Sequence, residues 1–434
     1  MGTVDTLVSG MAGTVDLSGV ALGCSFYWPA FMFLAGLAYG IAPTTSHFFA
    51  RKDYYQMHLC RFNAVIIMLV AGLLVTFLLA LSPLLFTLIN TDEKMTHVAT
   101  GYIYAVSVSL TCTAIFNLYI AYAQSLSVTK PSLVVGLIQI ILDIPLNYIF
   151  IFGKFGIPAL GGIGCGVTSC LINIICCIGL VIYVHKKHAV NKYKVLKPTR
   201  KLNYECMRQY LKLSLPLGLS RTMEVAFFSL GALILSPFGP IVVASHSITL
   251  NVSGLIFTIP LCLSMTATIR TAYAMGHRNF DQALASLKAV TIINIVFFLI
   301  YFNLVLFLRI PIASLYTADP LVLELAKGLM LLNCIYMLPD CIQCVFSGVL
   351  QGFKDSKTIF VSSLVTYWLV GLPTAYILSW GVFFKRLEGY GIWLGFIAAI
   401  LGAAIIYGCR IYYLFKYRKL PPLLLQSFHE NNTQ

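Results

Sequence analysis

Six ionisable side chains lie inside the long apolar stretches of this chain, and their types define the chemistry it could perform. They are the acids Asp5, Asp143, Glu224 and Asp340 and the bases Arg221 and Arg270. A charge in hydrocarbon is costly, so such residues pair with one another, line a cavity or bind an ion. The four carboxylates therefore predict places that a proton, a sodium ion or an organic cation could occupy.

The most complete candidate site surrounds Asp340. Tyr336 precedes it by four residues, so the phenol and the carboxyl share one helix face. Pro339 has no backbone N–H and frees a carbonyl group close to the site. These groups suit a cation. The alternative is a structural carboxyl that hydrogen-bonds to a neighbouring helix.

Asp143 and Asn147 form a second pair with the same four-residue spacing, around Pro145. Ser169, on the next predicted helix, adds a hydroxyl, and Asp5 is expected to face the same half of the molecule. Together these residues predict a polar binding face. The alternative is a set of hydrogen bonds that only holds helices together.

Glu224 allows two interpretations, because Arg221 lies three residues earlier on the same helix face. The carboxylate is either part of a cation site or one half of an internal ion pair. Arg270 ends an apolar run, where its long side chain can reach the membrane border. His246 is expected to be a hydrogen-bonded interior histidine.

Composition defines the elements that must position these residues. The chain is 59% hydrophobic and 10% charged, with a mean hydropathy of +0.87. Several stretches exceed the roughly 20 apolar residues that cross a bilayer, so we expect an all-α polytopic membrane protein. The net charge is +14. Its Lys and Arg residues lie between apolar runs and not on a separate basic domain, which argues against nucleic-acid binding. The thirteen cysteines are expected to be small apolar filler.

Eleven apolar runs are long enough to be complete membrane helices, and a twelfth is represented only by residues 1–13. The complete runs are 18–48, 62–89, 98–123, 131–152, 160–184, 209–233, 241–270, 285–308, 322–350, 358–383 and 390–415. We expect a first helix that lacks about half its length. Either Met1 is an internal methionine of a longer gene, or the product is truncated.

An internal repeat divides the chain into two halves. Gln124 and Lys130 recur about 227 residues later as Gln351 and Lys357, and a fixed offset of this kind indicates duplication. We predict an N-terminal bundle over 1–184, a basic cytoplasmic linker over 185–208, a C-terminal bundle over 209–415 and a cytoplasmic tail over 416–434. Further pairs follow the same offset: Gln56 and Gln282, Thr91 and Thr317, Pro145 and Pro373, Tyr148 and Tyr376, Gly153 and Gly381.

The distribution of Lys and Arg predicts the topology. Most of these residues lie in the loops after the even-numbered helices and in the tail, and such loops are cytoplasmic. Both ends of the full-length form are then cytoplasmic, with six helices in each half. An even number gives both halves the same orientation, so we expect a pseudo-twofold axis along the membrane normal. The opposite loops carry only Lys94, Lys154, Arg309, Lys385 and Arg386.

Motifs for enzyme chemistry do not occur in the sequence. There is no GxxxxGK[ST] loop, nucleophile elbow or HExxH helix. We expect no cofactor and no catalytic residue. Gly164-Cys165-Gly166 predicts close helix packing instead of nucleotide binding.

Several motifs together resemble the MATE (multidrug and toxic compound extrusion) transporters, and their NorM-like branch in particular. The resemblance spans essentially the whole chain. The motifs are Val4-Asp5-Thr6, Thr129-Lys130-Pro131, Ile144-Pro145-Leu146-Asn147-Tyr148, Gly161 to Val167, Met223-Glu224-Val225, His246, Leu250-Asn251, Thr268-Ile269-Arg270, Gly352-Phe353-Lys354-Asp355 and Gly371-Leu372-Pro373.

The resemblance implies two six-helix bundles that alternate between outward- and inward-open states. It implies export of organic cations against entry of Na⁺ or H⁺. Family cation-site residues correspond here to Asp5, Asn147, Glu224, Tyr336 and Asp340, and a sodium ion at the last three is one expectation.

Two departures from the family pattern concern charge. Asp143 stands where relatives often have Asn, and Arg221 stands at a position that is usually apolar. The first adds an acid to the N-terminal half. The second affects the role of Glu224.

The resulting hypothesis is a monomeric antiporter in a bacterial inner membrane, in which organic cation drugs and the coupling ion compete for carboxylates. Membrane lipid is its other expected partner. There are two alternatives: a flippase for a lipid-linked precursor, and an inactive or truncated membrane remnant.

Overall fold

A computed structural model of the chain describes residues 14–85, 93–154, 156, 158–186, 201–317, 319–382 and 385–429. Across these ranges the regular structure is helical, and no strand occurs. Eleven helical spans among the described residues are long and apolar enough to cross a membrane, and two of them each combine two helices. The predicted all-α polytopic architecture is confirmed. The half-helix predicted over 1–13, with Asp5, lies outside the described residues.

Six α-helices are described before the central linker. Gly40 separates the first two, which together form one apolar span over Val15–Ala50. Pro145 lies inside the fifth of them, and the chain remains helical through it. These helices are α1 (Thr14–Tyr39), α2 (Ile41–Ala50), α3 (Tyr54–Leu81), α4 (Glu93–Ser125), α5 (Lys130–Phe152) and α6 (Gly162–Lys186).

The second half begins with a 32-residue helix and ends with a short one. Each of the apolar segments between them is a candidate membrane span. The helices are α7 (Tyr204–Leu235), α8 (Pro240–Gly276), α9 (Phe280–Ser314), α10 (Pro320–Gly352), α11 (Ser356–Ser363), α12 (Leu372–Trp380), α13 (Gly389–Tyr417) and α14 (Pro422–His429).

Two compact units divide the chain, residues 1–218 and 219–434, with the boundary inside α7. The first turns of α7 belong to unit 1, because the Tyr210 hydroxyl donates a 2.7 Å hydrogen bond to the Leu37 carbonyl. A Cβ added to Gly36 would lie 2.7 Å from Cα of Gly218, so only glycine permits this helix contact. The predicted linker over 185–208 stays a prediction. The assignment of six helices to each bundle stays a prediction.

The duplication is visible in the backbone as well as in the sequence. Three turns between helices of the first half contain a residue with a left-handed backbone conformation. Three turns of the second half contain one at the corresponding position. The pairs of φ angles are 59° and 55° at Lys52 and Arg278, 62° and 58° at Ser127 and Lys354, and 67° and 69° at Gly153 and Gly381.

Helix capping repeats in the same way. The side chain of Asp53 accepts a 3.1 Å hydrogen bond from the backbone N–H of Gln56 at the start of α3. Asn279 accepts a 2.9 Å bond from the N–H of Gln282 at the start of α9. Short polar side chains at this position satisfy backbone donors that have no partner within the helix. The two glutamines, which the repeat had paired, therefore have equivalent structural positions.

The halves differ around their paired prolines. In unit 2 the segment Leu364–Gly371 widens into a π-helix between α11 and α12, two residues before Pro373. Because proline has no N–H, the carbonyl four residues before it loses its usual donor, and a wider turn is one way to accommodate this. The π-helix contains Tyr367, which is fully buried. Around Pro145 the first half remains an ordinary α-helix.

Glycines allow the helices within each unit to approach closely. A Cβ on Gly164 would lie 2.8 Å from the Phe150 backbone of α5, which confirms the predicted close packing at this motif. In unit 2, Gly391 and Gly395 of α13 likewise allow close contact with α12. A Cβ on Gly391 would meet the backbone of Ser379, and one on Gly395 would meet that of Ala375. Small residues four apart on one face are a common device for membrane helix contacts.

Candidate functional site

Asp340 lies in the interior of unit 2, on α10, and is 1% exposed. Neither of its carboxylate oxygens accepts a hydrogen bond from any residue that the structure describes. A buried carboxylate without donors is costly unless it is neutralised. Tyr336 is buried one turn earlier on the same helix, and Pro339 lies inside that helix, as predicted.

Arg221 and Glu224 form an ion pair one turn apart on α7. Nη1 of Arg221 lies 2.9 Å from Oε2 of Glu224, and the two side chains are only 18% and 10% exposed. Both charges act electrostatically on Asp340, and Glu224 and Asp340 act on Tyr336. The structure therefore brings Glu224, Tyr336 and Asp340 into one electrostatic neighbourhood. Arg221 belongs to that neighbourhood as well.

Aromatic rings enclose this neighbourhood on one side. The Tyr336 ring meets Trp393 edge-on, with centroids 5.7 Å apart, and meets Phe228 at 6.2 Å. Phe396 contacts both of these partners, at 5.7 Å from Trp393 and 4.9 Å from Phe228. Tyr336, Trp393 and Phe396 are almost fully buried, so their faces are occupied by one another in this structure. Electron-rich faces of this kind bind cations when they are uncovered.

Two further polar residues of the site were not among the predicted ones. Nε2 of Gln343 donates a 3.2 Å hydrogen bond to the hydroxyl of Tyr367, the buried residue of the π-helix. Tyr367 acts electrostatically with Glu224, Tyr336 and Asp340. Gln343 follows Asp340 by three residues, so its helical spacing was a usable signal. For Tyr367, the sequence offered only its position before Pro373.

His246 departs from expectation. It is fully buried on α8, with its ring centroid 6.1 Å from those of Trp393 and Phe396. Neither ring nitrogen has a hydrogen-bond partner among the described residues, so the predicted hydrogen-bonded histidine is not what the structure contains. Arg270, by contrast, is exposed near the end of α8, where a snorkelling side chain was expected.

A separate polar pair lies in unit 1. Nδ2 of Asn147 donates a 3.0 Å hydrogen bond to Oδ1 of Asp143 within α5, and both residues are fully buried. Ser169 is buried on α6, the helix that packs beside α5. Asp5, the fourth residue predicted for this half, lies outside the described residues.

The equivalent place in unit 2 is filled by helix packing. Asp143 and Asn147 correspond through the repeat to Gly371 and Ala375. A Cβ on Gly371 would lie 2.6 Å from that of Ala399 on α13, and Ala375 is in close contact with Gly395. Close helix packing thus takes the place of the polar pair at this position of unit 2.

Asp16 makes a structural contact that sequence reasoning missed. Its Oδ1 accepts a 2.6 Å hydrogen bond from the backbone N–H of Gly162, at the start of α6. A carboxylate at a helix N-terminus satisfies a free donor and complements the helix dipole. This acid therefore belongs to the helix framework of unit 1.

The described residues offer few side-chain ligands for a metal ion. No group of three or more His, Cys, Asp and Glu that could hold a metal ion occurs in the described part of the chain. A sodium ion at the site of unit 2 would thus need oxygen from Tyr336 or the backbone beside Glu224 and Asp340.

Comparison with known sequences gives consistent matches. A family model described as MatE matches residues 1–149 and 216–377. The probable multidrug resistance protein NorM of Shewanella oneidensis is 33% identical over 421 residues, which cover 96% of this chain and 91% of that protein. The multidrug resistance protein MdtK of Yersinia pseudotuberculosis is 33% identical over 418 residues, which cover 96% and 92%.

Solved structures show the same fold. A crystal structure of a eukaryotic MATE transporter superposes with a TM-score of 0.85 at 20% identity, covering 94% of this chain and 90% of that one. A crystal structure of MATE in the straight conformation gives 0.86 at 17% identity, covering 96% and 92%. At such identities the likeness concerns the fold alone.

Proposed function

Because this chain belongs to the MATE family of membrane transporters, which are not enzymes, we propose that it is an antiporter that exports organic cations, including drugs. The exchange is with H⁺ or Na⁺, and transport proceeds by alternation between outward- and inward-open states. The names of the NorM and MdtK relatives support drugs as substrates.

The observation that carries this proposal is the environment of Asp340. A carboxylate that is 1% exposed and accepts no hydrogen bond from the described residues requires a positive partner or a proton. A transported cation can supply that charge in one state, and the coupling ion in the other. Competition of the two for one carboxylate couples their movements, since each ligand favours the state that it binds better.

The neighbouring ion pair supports a proton as the coupling ion. Arg221 neutralises Glu224, so these two residues and an ionised Asp340 together have one net negative charge. A bare sodium ion needs several oxygen ligands to replace its hydration shell, and one candidate ligand is already paired with Arg221. A proton needs only one oxygen of Asp340. We therefore propose one monovalent cation per cycle at this site.

Substrate contacts are assigned to both units. In unit 2, the rings of Tyr336, Phe228 and Trp393 provide cation–π surface once they separate. In unit 1, Asp143, Asn147 and Ser169, with Asp5, form the second binding face. The buried Asp143–Asn147 hydrogen bond supports this assignment, because it holds a carboxyl group in place inside an apolar helix.

The proposed location is a bacterial inner membrane, with the protein as a monomer and both ends of the full-length form cytoplasmic. The bacterial relatives and the eleven apolar helices support the membrane. The excess of Lys and Arg in alternate loops supports the orientation. Membrane lipid is then the surrounding solvent of the exposed apolar side chains.

Transport by the purified full-length protein in vesicles tests the proposal, with a fluorescent organic cation as substrate and each ion gradient imposed alone. A proton gradient is expected to drive export, and a sodium gradient at equal pH is not. Asp340→Asn is expected to abolish export. Unchanged export by that variant would overturn the assignment of the site.

A matched control is Asp281→Asn, which removes a carboxylate from the same unit at an exposed position. Asp281 is 81% exposed and pairs with Arg418 at 3.2 Å. Its exposed pair contributes at most about 1 kcal/mol to stability. This variant is expected to export at the rate of the unmodified protein.

A further inference from the structure

Two cysteines from distant parts of the sequence meet in unit 1. Sγ of Cys60, on α3, lies 2.8 Å from Sγ of Cys206, at the start of α7, although 146 positions separate them. Neither cysteine is part of a disulfide bond in this structure. A disulfide bond is ~2.05 Å long, so the sulfurs need to move by less than 1 Å to form one. Cys60 is 8% exposed and Cys206 is half-buried.

A polar clamp holds the two helices in this arrangement. Asn63, one turn after Cys60, donates from Nδ2 to the Lys201 carbonyl at 3.2 Å and accepts from the N–H of Asn203 at 3.0 Å. The side chain of Asn203 in turn accepts a 3.0 Å bond from the N–H of Cys206. The clamp fixes the end of the linker segment against α3. It thereby fixes the distance between the two sulfurs.

Cys206 is the partner that a polar oxidant reaches first, because it is half-buried whereas Cys60 is buried. Cys206 is the third residue of α7. It lies next to the ion pair of Glu205 and Arg208, whose side chains are exposed. A second pair of thiols, Cys112 and Cys177, also lies within hydrogen-bonding reach. That pair lies inside the apolar spans of α4 and α6, whereas Cys206 lies in the first turn of α7.

We propose that Cys60 and Cys206 form a modification site that a hydroperoxide converts to a disulfide. The sulfur of Cys206 attacks one peroxide oxygen and breaks the O–O bond, which yields a sulfenic acid and water. The sulfur of Cys60 then attacks that sulfur and displaces the hydroxyl, which leaves as water with the thiol proton. The two thiols lose two electrons, and one hydrogen peroxide becomes two waters.

The disulfide ties α3 to α7, the helix that also holds Arg221 and Glu224. Movement of α7 relative to α3 is then restricted at its first turns. This consequence rests on the proposed function, because it concerns a transporter that alternates between states. Oxidation is expected to slow transport, and reduction is expected to restore it.

Mass spectrometry of the purified full-length protein tests the site itself, independently of transport. After brief treatment with hydrogen peroxide, we expect a peptide pair joined through Cys60 and Cys206, and two fewer of the thirteen thiols reacting with a bulky maleimide. Cys60→Ser and Cys206→Ser each abolish the cross-link, and the control Cys112→Ser retains it. Asn63→Ala slows its formation, because the clamp is lost.

The absence of this cross-link, or its formation between other cysteines only, overturns the proposal. A separate measurement addresses transport in vesicles. The unmodified protein is expected to lose most of its activity after peroxide and to regain it with dithiothreitol, whereas Cys60→Ser/Cys206→Ser is insensitive to both. A cross-link that forms without slowing transport overturns the regulatory step alone.

Discussion

Arg221 and Glu224 neutralise each other across one turn of α7, with 2.9 Å between Nη1 and Oε2. The pair is mostly buried, beside a carboxylate, Asp340, that accepts no hydrogen bond from the described residues. Because both partners belong to the same helix, they stay together when that helix moves. Asp340 is therefore the carboxylate to which the proposed function assigns the exchange of cations.

Removal of one partner of this pair is expected to destabilise the protein. Arg221→Leu leaves Glu224 charged and buried, and breaking a buried pair in this way typically costs about 3–5 kcal/mol. Replacement of both residues, as in Arg221→Leu/Glu224→Leu, removes the uncompensated charge and is expected to recover most of the loss. Thermal unfolding of the two variants in detergent measures this difference. Equal unfolding temperatures for both variants would contradict a net stabilising charge pair.

A second prediction concerns the charge of Asp143. Asp143→Asn keeps an oxygen that can accept the 3.0 Å hydrogen bond from Asn147 but removes the negative charge. Export of a cationic substrate is expected to fall severalfold, while the unfolding temperature changes little. Drug accumulation in cells and thermal unfolding give the two readouts. Asn117→Ala, which removes only a bond to a carbonyl of its own helix, is the control and should leave export unchanged.

If Asp143→Asn lowered stability and export together, the residue would have a packing role, as the alternative interpretation held. Asn147→Ala provides the converse comparison. It leaves the Asp143 carboxyl without this donor, and loss of a hydrogen bond to a buried charged group costs about 1–3 kcal/mol. Stability is expected to fall in that variant even before transport is measured.

Local spacing was sufficient to predict the pairs that lie within one helix. Asp143 with Asn147, Glu224 with Arg221, and Tyr336 with Asp340 are three or four residues apart, so helical geometry alone places them on common faces. The repeat likewise predicted equivalent corners, and Lys52 and Arg278 have nearly equal φ angles. Apolar length predicted the eleven complete helices.

Contacts between distant helices were beyond such reasoning. The Cys60–Cys206 and Asp16–Gly162 contacts each join positions 146 residues apart, and no periodicity relates them. The environment of His246 was mispredicted for the same reason, since its neighbours Trp393 and Phe396 come from a helix far along the chain. Packing between helices decides which polar atoms find partners, and a single sequence does not contain that information.

A third prediction tests the framework contact at the start of α6. Asp16→Ala removes the acceptor of the Gly162 N–H, and loss of a helix-capping side chain costs about 1 kcal/mol. The expected result is a lower unfolding temperature with unchanged substrate selectivity. Asp16→Asn, which retains an oxygen acceptor, should restore most of the stability. A variant Asp16→Ala as stable as the unmodified protein would show that the contact has no capping role.

The last prediction concerns the contact between α12 and α13. Gly395→Ala would place a Cβ 2.4 Å from that of Ala375 and 2.6 Å from its Cα, so the helices must separate. Overpacking of this kind costs about 1–3 kcal/mol, and because α12 follows the π-helix, the position of Tyr367 should shift as well. Thermal unfolding and export are both expected to decline. The matched control is Gly254→Ala on α8, where the added Cβ meets nothing within 4 Å. Alanine has a higher helix propensity than glycine, by about 1 kcal/mol. The stability of this variant should therefore be equal to that of the unmodified protein or greater. Equal behaviour of the two variants would contradict the close helix contact.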